Sequence, residues 1–370
     1  MPSNKTGVMG AAGGGPDNAG LWVWGQPNNG KLGLSSGTGY YSPVQMGLET
    51  YWATTEGTSE SSYAITSDGA LFSWGKNTEG QLGLGDATVR SSPVQVGALT
   101  NWATVSGMLE GPVLATKTDG TLWAWGENSW GCLGLGDTTK RSSPTQVGSL
   151  TNWASVSAGR NMGFAVKTDG TLWSWGGSYA GTNNMALGRG AAATASSPVQ
   201  VGSLTNWSTV SAQHYRTNAL KTDGTAWSWG QGGGGFIGNG ATTNQSSPVQ
   251  VGSLTNWAQV VASGNTANAV KTDGTLWGWG FGLKIGQGST TAQSSPVQIG
   301  SLTNWDTLAP GYNSVFCIKT DGTLWGWGSG TVGMLGQGNT TAYSSPVQVG
   351  GLTSWTSVGR TVKHVLAIQE

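Results

Sequence analysis

Apolar and polar positions in this chain alternate over short runs broken by glycine-rich turns, and no stretch requires a helix. The segment from Lys167 to Gly176, Lys-Thr-Asp-Gly-Thr-Leu-Trp-Ser-Trp-Gly, shows the pattern in one copy. Asp169-Gly170 between two apolar runs reads as a hairpin turn, because glycine accepts the positive φ that such turns need. Trp173 and Trp175 stand two apart and so share one face of a strand, while Ser174 points to the other. One face is large and aromatic and the other is small, which suits a sheet stacked between two neighbouring sheets.

The pattern recurs. Trp-Xaa-Trp-Gly, with Phe72 in place of the first tryptophan once, ends at Gly25, Gly75, Gly126, Gly176, Gly230, Gly280 and Gly328, at intervals of 48 to 54 residues. Ser-Pro-Val-Gln and its variants place Pro43, Pro93, Pro144, Pro198, Pro248, Pro296 and Pro346 on the same rhythm. Leu-Thr-Asn-Trp and its variants add Trp52, Trp102, Trp153, Trp207, Trp257, Trp305 and Trp355. These markers account for every tryptophan except Trp130. A period near 50 residues implies one stacked or closed array rather than two or three domains.

Four short strands are predicted per unit, in the fourth near Leu172–Gly176, Val199–Val201, Trp207–Ser211 and Thr217–Lys221, with Pro198 opening its strand. The repeat starts at Leu21, just after a hairpin turn, and Val365–Gln369 matches the strand that precedes that turn in other copies. The last strand should therefore pair with the first and leave no open sheet edge. The fold class expected is all-β, a seven-bladed β-propeller over residues 21–370, preceded by a Gly/Ala-rich arm over residues 1–20.

Charge removes several functions. There are 17 basic and 17 acidic residues, with no basic patch for nucleic acid. No apolar run approaches the roughly 20 residues of a membrane-spanning helix, and the first residues lack the pattern of a signal peptide. Cys132 and Cys317 fall at different points of the repeat, so no disulfide framework is expected. His214 and His364, the two histidines, also stand at different offsets and are not expected to share a site. Asp86 and Asp137 each follow Leu-Gly-Leu-Gly, but one carboxylate apiece is too few for a calcium loop. Gly232–Gly235 lacks the Lys-Ser/Thr of a phosphate loop. No catalytic group, metal site or cofactor is read from the sequence, and the chain is taken as a non-enzyme.

The run Trp74 to Gly85, then Pro93-Val94-Gln95-Val96, then Trp102-Ala103-Thr104-Val105, resembles the regulator-of-chromosome-condensation repeat, and the resemblance extends over every unit from Leu21 to Gln369. It implies a seven-bladed propeller and says little of function. The family's eponymous member exchanges nucleotide on a small GTPase and binds chromatin through a projecting wedge and a basic tail. Here the longest interval is 54 residues and the arm carries only Lys5, so neither device is present. Low-charge, near-identical repeats of this kind also look like those of bacteriophage proteins. The family tends to hold a histidine three residues before the alanine of the strand that precedes the turn. His364 matches, whereas Ser61, Pro112, Met162, Arg216, Thr266 and Ser314 depart.

The copies diverge most in the turn before that strand. The candidate interaction face comprises Glu56, Met108, Leu109, Glu110, Arg160, Asn161, Met162, His214, Tyr215, Arg216, Tyr312, Asn313, Arg360 and Lys363. These turns should crowd one face around the channel, as a recognition surface on a rigid scaffold. The outer rim, rich in Ser-Ser-Pro and Thr-Thr, is a second, polar surface. The expected function is a binding or structural propeller on a virion, as a capsid decoration or a head or tail fibre. Its arm would contact other virion proteins, and its turns would meet a host-surface ligand or glycan. A soluble protein-binding regulator, inhibitor-like or exchange-factor-like, is the alternative.

Overall fold

A computed structural model describes residues 18–49, 51–109, 111–177, 184–190, 194–359 and 362–370. Their strands form seven four-stranded antiparallel sheets. Six are continuous in sequence: blades 1 to 6 span residues 52–95, 102–146, 153–200, 207–250, 257–298 and 305–348. Blade 7 is composite, with Trp355–Val358 and His364–Gln369 from one end of the chain and Gly20–Gly25 and Tyr40–Gln45 from the other. Six residue pairs, from Gly20↔Gln369 to Gly25↔His364, zip the two ends together. The split-hairpin expectation holds. The strand begins at Gly20, one residue inside the expected arm, and residues 1–17 lie outside the described residues.

The strand headed by the Leu-Thr-Asn-Trp tryptophan is innermost, because these strands touch one another from blade to blade. The Ser-Ser-Pro strand is outermost, with a single neighbour in its sheet. The unit read from the sequence therefore straddles two sheets: Leu172–Gly176 is the third strand of blade 3, whereas Trp207–Ala212 opens blade 4. A period counted from the hairpin turn has no means of showing that a sheet starts at its inner strand. Pro198 also does not open its strand. It is the fourth residue of Ala195–Gln200, inside a bulge where the register to Ser174 and Gly176 shifts. An edge strand tolerates its missing N–H there.

Each hydrophobic cluster is shared by two blades. Met162, Phe164, Val166 and Leu172 of blade 3 pack with Trp207, Val210, Ala212 and Trp229 of blade 4. The two tryptophans of each pair differ in role. Trp175 is fully buried and donates its indole N–H to the carbonyl of Cys132 in the loop of the preceding blade, at 2.9 Å. Trp24, Trp74, Trp125, Trp229 and Trp327 make the matching bond at their own seams. Trp173 is half-buried, and its N–H goes to Thr171 beside it. Lys167 Nζ lies 3.9 Å from its ring centroid and 4.8 Å from that of Trp153, a cation–π contact repeated by Lys117, Lys221, Lys271 and Lys319. The Lys-Thr-Asp-Gly turns are thus structural. So are Asp86 and Asp137, each held by an arginine four residues on and by Asn77 or Asn128. Cys132 and Cys317 are free and buried, and burial pushes the Cys132 thiol up to about 12.

Candidate interaction face

The inner turns of six blades converge on one end of the ring. Ser59 and Glu60, Leu109 and Gly111, Arg160 and Asn161, His214, Tyr312 and Asn313, and Val362 and Lys363 border a cavity of about 700 Å³. Loops that follow the Trp-Gly glycines complete the wall with Gln26, Glu79, Glu127, Thr331, Val332 and Met334.

The predicted face divides into two groups. Leu109, Asn161, His214, Tyr215, Tyr312 and Asn313 are half-buried at the mouth, and Arg160 and Lys363 are exposed. Glu56, Met108, Met162 and Arg216 are buried, so they do not present themselves to a partner as expected. Each sits at or next to a strand end, where the side chain turns into the seam between blades. Glu56 lies in the inner strand and accepts from the Gly107 N–H of the next blade at 3.4 Å. Met108 and Met162 join hydrophobic clusters. Glu110 and Arg360 lie outside the described residues.

The mouth is electrically divided. On the side of blades 7, 1 and 2, charges are matched. Glu60 accepts from Lys31 at 3.0 Å and from Lys363 at 2.8 Å, and Lys140 pairs with Glu79 and, at 3.1 Å, with Glu127. Burial holds the Lys31 ammonium below its ordinary range, against the pull of Glu60. Burial acts to raise Glu60, but its bonds from Lys363 and Lys31 together hold it low.

On the side of blades 3 to 6, Arg160 borders the cavity, and the cations Arg216 and Lys284 stand behind its wall, with Lys284 Nζ against the Tyr312 carbonyl and Asn313 Oδ1. Arg160, Arg216 and Lys284 have no carboxylate partner among the described residues. Arg160 donates to His214 Nε2, and the His214 ring packs 3.8 Å from Tyr215 and 6.2 Å from Tyr312. Burial, then Arg160 and Arg216, pull His214 down to about 4, so it is neutral at pH 7. Lys284, Phe236 and Asn265 did not figure in the predicted face. Asn265 lies in one of the divergent turns, whereas the loops of Lys284 and Phe236 read as structural; the usable signal was a lysine directly before the Leu-Gly or Ile-Gly of that loop in only two copies, at Lys31 and Lys284.

His364 and His214 lie at separate places, as expected. His364 is buried in the seam between blades 7 and 1, with Nε2 2.6 Å from Ser62 Oγ. No group of three or more His, Cys, Asp or Glu suited to a metal occurs among the described residues, and none of their helices is long and apolar enough to cross a membrane.

The regulator of chromosome condensation (RCC1) repeat matches residues 68–107, 119–166, 223–270 and 321–368, so the chain carries four recognisable copies of it. Solved structures share the whole fold. Human WBSCR16 superposes with a TM-score of 0.84 at 18% identity, over 95% of this chain and 99% of that one. Prp20p from Saccharomyces cerevisiae, described with its binding to Gsp1p and histones, gives 0.82 at 16% over 100% and 95%. The same yeast protein bound to Kap60 gives 0.82 at 15% over 100% and 94%. At these identities the likeness is one of fold. No curated protein sequence matches significantly.

Proposed function

We propose that this chain is a non-enzymatic protein-recognition propeller whose mouth, bordered by the inner turns, receives the partner. One observation carries the reading: six turns on near-identical blades meet at a single cavity of about 700 Å³ yet carry different side chains, including Tyr312, Arg160, His214 and Leu109. Packing keeps the blades alike and leaves the turns free to differ. Half-buried tyrosines and an exposed arginine are the types that anchor protein interfaces.

The finer reading is a bacteriophage virion component, a capsid decoration or a head or tail fibre, held through residues 1–20. Its support is compositional: low charge and near-identical repeats. A soluble regulator is the second reading, favoured by the propeller shared with Prp20p, whose structure is described with binding to Gsp1p and histones.

The test is the native complex, purified from its source, weighed and resolved by mass spectrometry. The wild-type chain is compared with a Tyr312→Ala, Arg160→Ala variant of equal thermal stability. A partner held by the wild type and lost from the variant supports recognition at the mouth; one retained by the variant overturns it. Co-purification with capsid or tail proteins in a megadalton particle selects the virion reading. A one-to-one soluble complex selects the regulator.

A further inference from the structure

Two seams break the charge pattern of the others in a related way. In the seam between blades 7 and 1, Lys31 lies in the loop after Trp-Gly and meets Glu60 in the next blade's turn. Lys284 is its counterpart, since the Lys31 and Lys284 carbonyls accept equivalent indole N–H bonds, from Trp74 and Trp327. The counterpart of Glu60 is Asn313, each preceding the serine that pairs with a Trp-Gly glycine, Ser61↔Gly75 and Ser314↔Gly328. Lys284 Nζ therefore meets a neutral amide, Asn313 Oδ1 at 2.6 Å, where Lys31 meets a carboxylate.

One seam away, Arg216 occupies the position of His364, since they pair with Gly230 and Gly25 in the same register. His364 finds Ser62 in the next blade, but the counterpart of Ser62 beside Arg216 is Ala267, so the arginine has no hydroxyl there. Arg216 is only 5% exposed. Its Nη2 reaches Asn265 Oδ1 at 3.4 Å, its Nη1 is buried without a hydrogen-bond partner, and Phe236 covers it at 4.1 Å. A guanidinium keeps its proton at neutral pH, and a buried charge without a counter-ion is strongly unfavourable. A ring stacked on it offsets only part of that. The two cations feel each other, because Arg216 adds to the burial that holds Lys284 down to about 8.

We infer that Lys284 and Arg216 form an anion seat on the blade 4–6 side of the mouth, and that it takes an acidic side chain of a protein partner. Lys284 makes the contact, and Arg216 contributes its field from behind Phe236. Exposed Arg160 borders the same cavity. Glu79 and Glu127 border the same cavity but are paired with Lys140, so the unpaired cations alone mark where an acidic group docks. The inference deepens the protein-recognition reading and rests on it.

The test titrates fluorescein-labelled hexaglutamate, hexalysine and inorganic phosphate into the wild type, Lys284→Gln and Arg216→Gln, with melting temperatures measured alongside. Hexaglutamate should bind saturably and raise the melting temperature of the wild type. Its affinity should fall at least tenfold in a folded Lys284→Gln and several-fold in Arg216→Gln, and hexalysine should not bind this side. Should Arg216→Gln not fold, Lys284→Gln decides alone. No hexaglutamate binding, an unchanged affinity in Lys284→Gln, or phosphate binding as tight as hexaglutamate overturns the assignment. Loss of the native partner in the Tyr312→Ala, Arg160→Ala variant, with hexaglutamate indifferent to Lys284→Gln, removes the anion seat and leaves the recognition reading standing.

Discussion

His364 Nε2 and Ser62 Oγ lie 2.6 Å apart across the seam between blades 7 and 1, and Ser62 Oγ in turn donates to the Lys31 carbonyl at 2.7 Å. With its own hydrogen given to Lys31, Ser62 accepts, so His364 Nε2 carries the proton and Nδ1 is bare and buried. Burial, then the nearby Lys31 charge, holds His364 well below its ordinary value. The unfolded chain takes up a proton near pH 6.5 and the folded ring does not, so stability falls as pH drops below about 6.5. His214, also depressed, adds to the same window. The melting temperature measured from pH 8 to 5 should decline, and His364→Gln should flatten that decline more than His214→Gln. An unchanged slope in His364→Gln contradicts the neutral buried ring.

Deleting residues 365–370 removes the strand that joins the two halves of blade 7. It opens both clusters that this blade shares, one with blade 6 and one with blade 1. The expected result is loss of cooperative unfolding for the whole ring. A melting temperature equal to that of the full chain counts against closure.

Trp175→Ala removes a fully buried ring and its bond to Cys132, and should cost about 3–5 kcal/mol. Trp173→Ala, on the same strand face but half-buried, loses less packing and one cation–π contact, about 1–2 kcal/mol. Chemical denaturation of both variants checks the order. Equal costs show that the two rings are not divided between seam and surface.

Gly75 has φ +103°, and a Cβ there would stand 2.4 Å from the Glu60 carbonyl oxygen. Gly97 has φ +66° with open space around it. Gly97→Ala should cost about 1 kcal/mol from backbone conformation alone, and Gly75→Ala about 2–3 kcal/mol because the turn must also shift. The difference in denaturation free energy isolates the close approach.

The blade count and the closure were legible because three markers of different chemistry kept one period, and because the first and last strands are complementary fragments of that period. The phase was not legible: a repeat has no intrinsic start, so a count from the hairpin turn does not show that Leu172–Gly176 and Trp207–Ala212 belong to different sheets. At the mouth, divergence between copies picked out Arg160, His214 and Tyr312, which border the cavity. It also selected Glu56, Met108, Met162 and Arg216, because seam positions vary as freely as exposed ones. Only the strand register separates the two, and Arg216 was recognisable as a seam residue from its equivalence with His364. The seven-fold set of exposed leucines at Leu48, Leu99, Leu150, Leu204, Leu254, Leu302 and Leu352 was hidden inside the Leu-Thr-Asn-Trp marker, whose tryptophan drew the reading to the core.

Because every hydrophobic cluster belongs to two neighbouring blades, the covalent chain is not what holds the blades to each other. A protease that cuts a single exposed turn, such as 168–170, leaves two fragments that still share buried tryptophans at two seams and strand pairing within the cut blade. The clipped protein should elute as an intact particle and separate into pieces only in denaturant, so damage of this kind would go unnoticed in any assay that reads shape.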